Sequence, residues 1–153
     1  GQTMKKLSKL VALALACVMA LTMLTACGGK NYNGEILKAI NATAQQNSHT
    51  PVKRNGELDK VAKELLPAAE ALNSKTDLVT YGTATKDAFT KVGQMTIDGG
   101  KIYCLTITNG SALPQGPFGQ HSIFATANVD YVGIASGTVN GNFVYVVVCA
   151  NKR

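Results

Sequence analysis

Two runs of residues, Val129 to Thr138 and Asn142 to Ala150, are joined through Asn140-Gly141 and constrain the fold of this chain more than any other stretch. Asn-Gly is a preferred pair for a two-residue type I′ turn, because both central positions of that turn need a positive φ. The flanking runs are rich in β-branched and aromatic residues, so the segment predicts a β-hairpin. Phe143 to Ala150 is apolar at every position and therefore on both faces. A strand of that kind is central or covered, and helices on both faces of an antiparallel sheet would cover it.

The helices come earlier in the chain. From Glu35 to Asn47, the residues Ile36, Leu37, Ile40 and Ala44 share one helical face, and the polar stretch Gln45 to Thr50 with Pro51 ends the run. Next, Leu58, Val61, Ala62, Leu65, Ala69 and Leu72 follow the 3.6-residue period behind Asn55, a suitable cap. Pro67 lies inside this second helix and is expected to kink or split it, since it lacks an N–H and crowds the carbonyl four residues back. A third, shorter helix is expected from about Thr85 to Val92, capped by Thr83 or Thr85. Beyond it the period changes to two: Asp98-Gly99-Gly100 has hairpin chemistry and would pair Gln94 to Ile97 with Lys101 to Thr108. Gly110 to Gln120, with Pro114, Gly116, Pro117 and Gly119 around Leu113 and Phe118, has no period and reads as a loop. The fold class expected is α+β, with two to three helices in the N-terminal half and strands of a mainly antiparallel sheet in the C-terminal half.

The opening residues follow different rules. Gly1-Gln2-Thr3 ahead of Met4 read as a cloning remnant. Lys5, Lys6 and Lys9 then precede an apolar run, Leu10 to Leu24, that is short for a membrane span of about 20 residues. The run closes on Leu24-Thr25-Ala26-Cys27, which resembles the lipobox of bacterial lipoproteins. That resemblance implies a signal peptide over residues 4–26. It also implies a Cys27 thiol that takes a diacylglyceryl group before cleavage and becomes the first mature residue. Two acyl chains turn marginal membrane contact into stable anchoring, so the expected location is the cell membrane, facing outside the cytoplasm. Residues 27–34, rich in glycine and polar side chains, would be a tether, and 35–153 a single domain.

Few function classes fit the remaining composition. The formal charge of +6 includes three signal lysines; without them twelve basic residues face nine acidic ones, a net of +3. These charges are scattered and tryptophan is absent, which argues against nucleic acid as a partner. Cys17 lies in the signal segment, so Cys104 and Cys149 are the thiols of the domain. In an exported protein they are candidates for a disulfide, with two buried free cysteines as the alternative. No cysteine or histidine pair has the short spacing of a zinc site, no phosphate-binding Gly-Lys-Ser/Thr motif occurs, and neither a metal nor a cofactor is expected. His49 reads as a solvated turn residue. His121 reads as a structural histidine, with Ser111, Ser122 and Asp130 as unranked partners for any catalytic role.

Three segments near the start, Ile36-Leu37-Lys38-Ala39-Ile40-Asn41, Pro51-Val52-Lys53 and Leu58-Asp59-Lys60-Val61-Ala62, together with the closing Asp130-Tyr131-Val132-Gly133-Ile134-Ala135 and Phe143-Val144-Tyr145-Val146-Val147-Val148, resemble the CAP superfamily of cysteine-rich secretory, antigen-five and pathogenesis-related proteins. His121 stands near where bacterial domains of this kind carry a histidine. The resemblance covers about half of the mature chain and implies an α-β-α sandwich. Its central departs from the family: Ala71 to Gln120 contains no histidine and no glutamate, and the Gly-Glu-Asn motif is missing. The family's cation site is therefore not carried over, and a degenerate cleft is expected.

The resulting expectation is a membrane-anchored binding module, non-enzymatic rather than catalytic, for a small apolar ligand, an envelope component or a protein, using Leu113, Phe118 and His121, with no catalytic residue assigned. The alternatives are an envelope hydrolase with His121 as base and a structural subunit of a surface assembly.

Overall fold

The computed structural model describes residues 32–75 and 77–153; the signal segment, Cys27 and the tether as far as residue 31 lie outside the described residues. Four helices and five strands follow in the order α1 (Asn33–Gln46), β1 (Lys53–Arg54), α2 (Gly56–Lys75), α3 (Leu78–Gly93), β2 (Thr96–Ile97), β3 (Gly100–Gly110), α4 (Ile123–Thr126), β4 (Tyr131–Val139) and β5 (Asn142–Lys152). The strands form one sheet in the order β1-β4-β5-β3-β2. Its pairings are antiparallel except for β1 beside β4, which is parallel, so the sheet is mixed and not the mainly antiparallel one expected from the sequence.

Strand β5 is central and buried on both faces, as its apolar composition requires. Val144, Val146, Val148 and Ala150 face α2 and α3, packing with Leu58, Val61, Ala62, Leu65, Ala69, Ala88 and Val92. Tyr145, Val147 and Cys149 face the other way, packing with Ile36, Ile40 and Ala44 of α1 and Phe124 of α4. Two cores on opposite faces of one sheet make an α-β-α sandwich of the α+β class. The β4–β5 turn has φ of 51° at Asn140 and 80° at Gly141, the type I′ geometry that Asn-Gly favours. Asp98 at 53° and Gly99 at 80° turn the β2–β3 hairpin in the same way.

Local chemistry accounts for most helix ends. Asn55 Oδ1 accepts from Glu57 N at 2.9 Å and Leu58 N at 3.1 Å, capping α2 as expected. Helix α2 runs through Pro67 without a break, with Leu65, Ala68 and Ala69 buried on either side of it. Helix α1 begins at Asn33, two residues before Glu35, and α3 begins at Leu78, well before Thr85. The cap of α3 is Asp77, whose carboxylate accepts from Thr80 N at 3.0 Å, rather than Thr83 or Thr85.

Beyond Arg54 the edge of β4 has no strand beside it, and side chains close it. Asp59 Oδ1 accepts from Ile134 N at 2.8 Å, Asn33 Nδ2 donates to Ile134 O at 3.2 Å, and Ser136 Oγ accepts from Tyr32 N at 3.1 Å while donating to Asn33 Oδ1 at 2.7 Å. The start of α1 thus seals an edge that would otherwise invite strand addition.

Candidate functional site

One end of the sandwich carries the β4–β5 turn, the C-terminal end of β3 and the C-terminal part of α2, and a cleft of about 350 Å³ opens there. Glu70, Asn73 and Ser74 of α2, Ser111 just past β3, and Asn142, Phe143 and Val144 of β5 line it. Glu70 is only 3% exposed, although a carboxylate is costly to bury. Its oxygens accept from Asn140 Nδ2 at 3.2 Å and Asn142 Nδ2 at 3.1 Å, and the Ser74 hydroxyl contacts the same carboxylate. Ser74 Oγ also lies 2.7 Å from Glu70 O, one turn back along the helix. These contacts tie α2 to the hairpin turn and form a polar wall. Val144 supplies the apolar side chain on this face, while the Phe143 ring turns to the α1 face, edge-on to Tyr32 with ring centroids 5.7 Å apart.

Of the residues singled out from the sequence, Ser111 lines the cleft, and Leu113, Phe118, His49 and His121 lie elsewhere. Leu113 and Phe118 are half-buried against the core on the α1 face, so the apolar side chains of the loop complete that core and do not line the cleft. Phe118 packs on Phe124 with centroids 5.5 Å apart, and its N–H donates to Thr43 Oγ1 at 2.7 Å, fastening the loop to α1. His121 is exposed and not a satisfied structural histidine; no hydrogen bond joins it to another described residue. His49 is more engaged than a solvated turn residue, with Nδ1 3.2 Å from Phe124 O. Both histidines sit by the short helix α4, which packs on α1, and neither lines the cleft.

Cys104 and Cys149 are free and buried, so the disulfide is not formed. Their strands are adjacent, which meets the first requirement for a bridge. The register of β3 against β5 slips between Cys104, opposite Ala150, and Thr106, opposite Cys149. This irregularity at Leu105 leaves Cys104 in the core beneath α2 and α3 and Cys149 in the core beneath α1. Burial pushes the Cys104 thiol up to about 12, against a smaller opposing effect of its contact with Thr106 O, and it pushes Cys149 up as well. Neither thiol has the lowered pKa of a nucleophile.

A second, smaller cleft of about 150 Å³ lies between α2 and α3, bordered by Val61, Leu65, Ala84 and Ala88 and bridged at its mouth by Lys91 Nζ and Glu64 Oε1 at 2.6 Å. Among the described residues, no group of three or more His, Cys, Asp or Glu side chains could hold a metal ion, and no helix is long and apolar enough to cross a membrane.

Sequence reasoning missed Glu70. It stands about a quarter-turn off the apolar stripe of α2, where a charged residue ordinarily meets water, and only the arrival of Asn140 and Asn142 from the far end of the chain buries it. The available signal was the pair of asparagines bracketing Gly141, each with an amide free to reach a carboxylate. No family model matches the chain, and no curated protein matches it.

Proposed function

We propose that this chain is a lipid-anchored extracytoplasmic binding module of CAP-like architecture, whose ligand site is the Glu70 cleft. The observation that carries the reading is the composition of that cleft. Its volume of about 350 Å³ falls within the range of small-molecule sites, and Asn73, Ser74, Ser111 and Asn142 offer donors and acceptors beside Val144. Such a lining favours a small neutral ligand bearing hydroxyl or amide groups, of the size of a monosaccharide, over a purely apolar one. The Glu70 carboxylate at the cleft is taken up by Asn140, Asn142 and Ser74, which favours a role in holding the site together over one as a base and hence binding over turnover.

The CAP-like part of the reading is supported by the order of elements. Ile36 to Asn41 falls in a helix, Lys53 begins a short extended link, Leu58 to Ala62 opens the next helix, and the closing segments form the central strand pair β4–β5. The anchoring part is supported by Leu24-Thr25-Ala26-Cys27 behind its basic and apolar stretches.

Two measurements test the reading. Mass spectrometry of the protein taken from its native membrane is expected to find Cys27 as a diacylated first residue. Thermal unfolding of the full chain against a panel of simple saccharides and amino sugars is expected to show a rise in Tm with at least one, and Ser111→Trp, which fills the cleft, removes that rise. An intact leader on native protein removes the anchoring reading; a panel without effect removes the ligand class.

A further inference from the structure

Among the large apolar side chains of the described residues, Val79 is 80% exposed and Leu78 is 67% exposed, while Phe89 and Tyr103 reach only 41% and 39%. Leu78 and Val79 are adjacent and form the first turn of α3. The position of this turn in the sandwich gives the pair its meaning. Tyr81, three residues after Leu78, accepts from Asn109 Nδ2 at 2.7 Å through its hydroxyl, at the C-terminal end of β3. At the other end of α3, Gly93 approaches Arg153. Leu78 and Val79 therefore project at the end of the molecule that carries the β4–β5 turn.

The chain enters the fold at that same end. Tyr32, the first described residue, is fixed by its N–H to Ser136 Oγ at 3.1 Å and by its ring against Phe143, next to the β4–β5 turn. Five residue steps separate Tyr32 from Cys27, and a fully extended chain spans at most about 18 Å over that length. A diacylated Cys27 would thus hold this end, and not the opposite one, within a short distance of the lipid. Tyr32 lies on the α1 face of the sheet and Leu78-Val79 on the α3 face, so tether and apolar pair occupy two corners of one end.

We infer that Leu78 and Val79 insert into the interface of the bilayer that holds Cys27, making a second point of attachment that fixes the orientation of the domain on the membrane. The inference rests on the anchoring reading above. A single acylated terminus leaves a domain free to swivel; a second contact at the opposite corner stops it. Leucine and valine suit the acyl boundary, and the neighbouring charge does not oppose entry. The Asp77 carboxylate is turned into its own helix, where it accepts from Thr80 N at 3.0 Å and Thr80 Oγ1 at 2.7 Å.

The experiment uses the full-length protein, exported and acylated, then reconstituted into phosphatidylcholine/phosphatidylglycerol vesicles. An environment-sensitive fluorophore is attached at Leu78→Cys or Val79→Cys, with Lys101→Cys as the reference at the opposite end of the sheet and the unsubstituted chain as the labelling blank. The same samples are weighed by mass spectrometry for the acyl group on Cys27. With Cys27 acylated, emission from positions 78 and 79 is expected to shift to the blue and to be quenched by brominated lipid, while position 101 shows neither effect. Acylated protein without lipid quenching at 78 and 79, or with equal quenching at 101, overturns the inference and leaves anchoring intact. A blue shift that grows with protein concentration in the absence of lipid assigns the pair to a second copy of the chain and also overturns it. Native protein without an acyl group on Cys27 removes the anchoring reading, and the inference falls with it.

Discussion

Gly133 of β4 lies against the backbone of Leu58 in the first turn of α2, so close that a Cβ at Gly133 would stand 2.0 Å from the Leu58 carbonyl carbon and 2.1 Å from its oxygen. Glycine is needed there for space and not for conformation. The contact sets how near α2 approaches the sheet, and hence where Asp59 and Glu70 fall along it. A methyl group meets backbone on the helix side, which cannot rotate away, so Gly133→Ala is expected to cost at least the upper part of the range of about 1–3 kcal/mol typical of overpacking. Urea unfolding followed by circular dichroism measures it. Gly137→Ala, four residues along the same strand and with nothing within 4 Å of an added Cβ, is expected to be nearly silent.

The Asp59 carboxylate serves β4 as a substitute for a strand. Its Oδ1 accepts from Ile134 N at 2.8 Å and from Arg54 Nε at 3.1 Å. The Arg54–Asp59 pair is partly exposed, and such pairs contribute little. The bond to Ile134 is the larger effect. Asp59→Ala leaves that N–H without its partner, at a cost of about 1–3 kcal/mol. Asp59→Asn keeps an acceptor and is expected to retain more than half of the stability lost by alanine. Arg54→Ala should change the urea midpoint far less than either, and equal losses from Arg54→Ala and Asp59→Ala would contradict this account.

Those two relationships bear on how far the sequence could be read. The stripe of Leu58, Val61, Ala62, Leu65 and Ala69, the Asn55 cap and the Asn140-Gly141 turn were legible because each is decided within a few residues of itself. The apolar composition of β5 announced a central strand covered on both faces. Strand β1 was not legible as a strand: Lys53 and Arg54 are both exposed and make no pattern, and their partner Tyr131 lies far along the chain. The early start of α3 was hidden because Leu78 and Val79, its first residues, are apolar yet face outward. The cysteine pair stayed open between a disulfide and two free thiols for a similar reason, since a one-residue slip at Leu105 reverses the facing of β3 relative to β5 and has no sequence mark. The cleft suffered most. Its floor is a helix residue, its walls belong to a turn and a strand end, and nothing local brings them together, whereas Leu113 and Phe118, conspicuous in their loop, pack into the core.

Glu70 gives a separate test of how the cleft is built. With Asn140 and Asn142 both donating to its carboxylate, Glu70→Ala removes acceptors from two amides and opens the floor. Hydrogen bonds to a charged group contribute about 1.5–3 kcal/mol, and a loss of that order is expected in the urea midpoint. Glu70→Gln preserves the shape with one carbonyl oxygen and should lie between wild type and alanine. Amide hydrogen exchange should localise the change, with faster exchange at the β4–β5 turn and the last turns of α2 and unaltered protection in β5 near Val147.

The buried thiols tie stability to alkaline pH. Cys104 is raised from 9.0 to about 12, and Cys149 is raised in the same direction, each chiefly by burial. In the unfolded chain both thiols ionise near 9, while in the folded protein they keep their protons to higher pH. The stabilisation from keeping them neutral is therefore complete below about pH 8.5. It is lost as the pH rises from there toward 12, because the unfolded state releases protons that the folded state retains. Each such thiol makes stability fall by up to about 1.4 kcal/mol per pH unit within that window. Tyr81 and Tyr145, raised chiefly by burial, and Tyr131, raised chiefly by its hydroxyl's bond to Asp98, add falls of the same sign beginning near pH 10. Unfolding midpoints in urea from pH 7 to 11 should stay level and then drop, and Cys149→Ala should lower the plateau while making the drop between pH 9 and 11 shallower. Thiol reagents at pH 8 should leave both cysteines unmodified in the folded protein and modify both in urea. Rapid labelling of either under native conditions would mean that its strand opens far more readily than its burial implies.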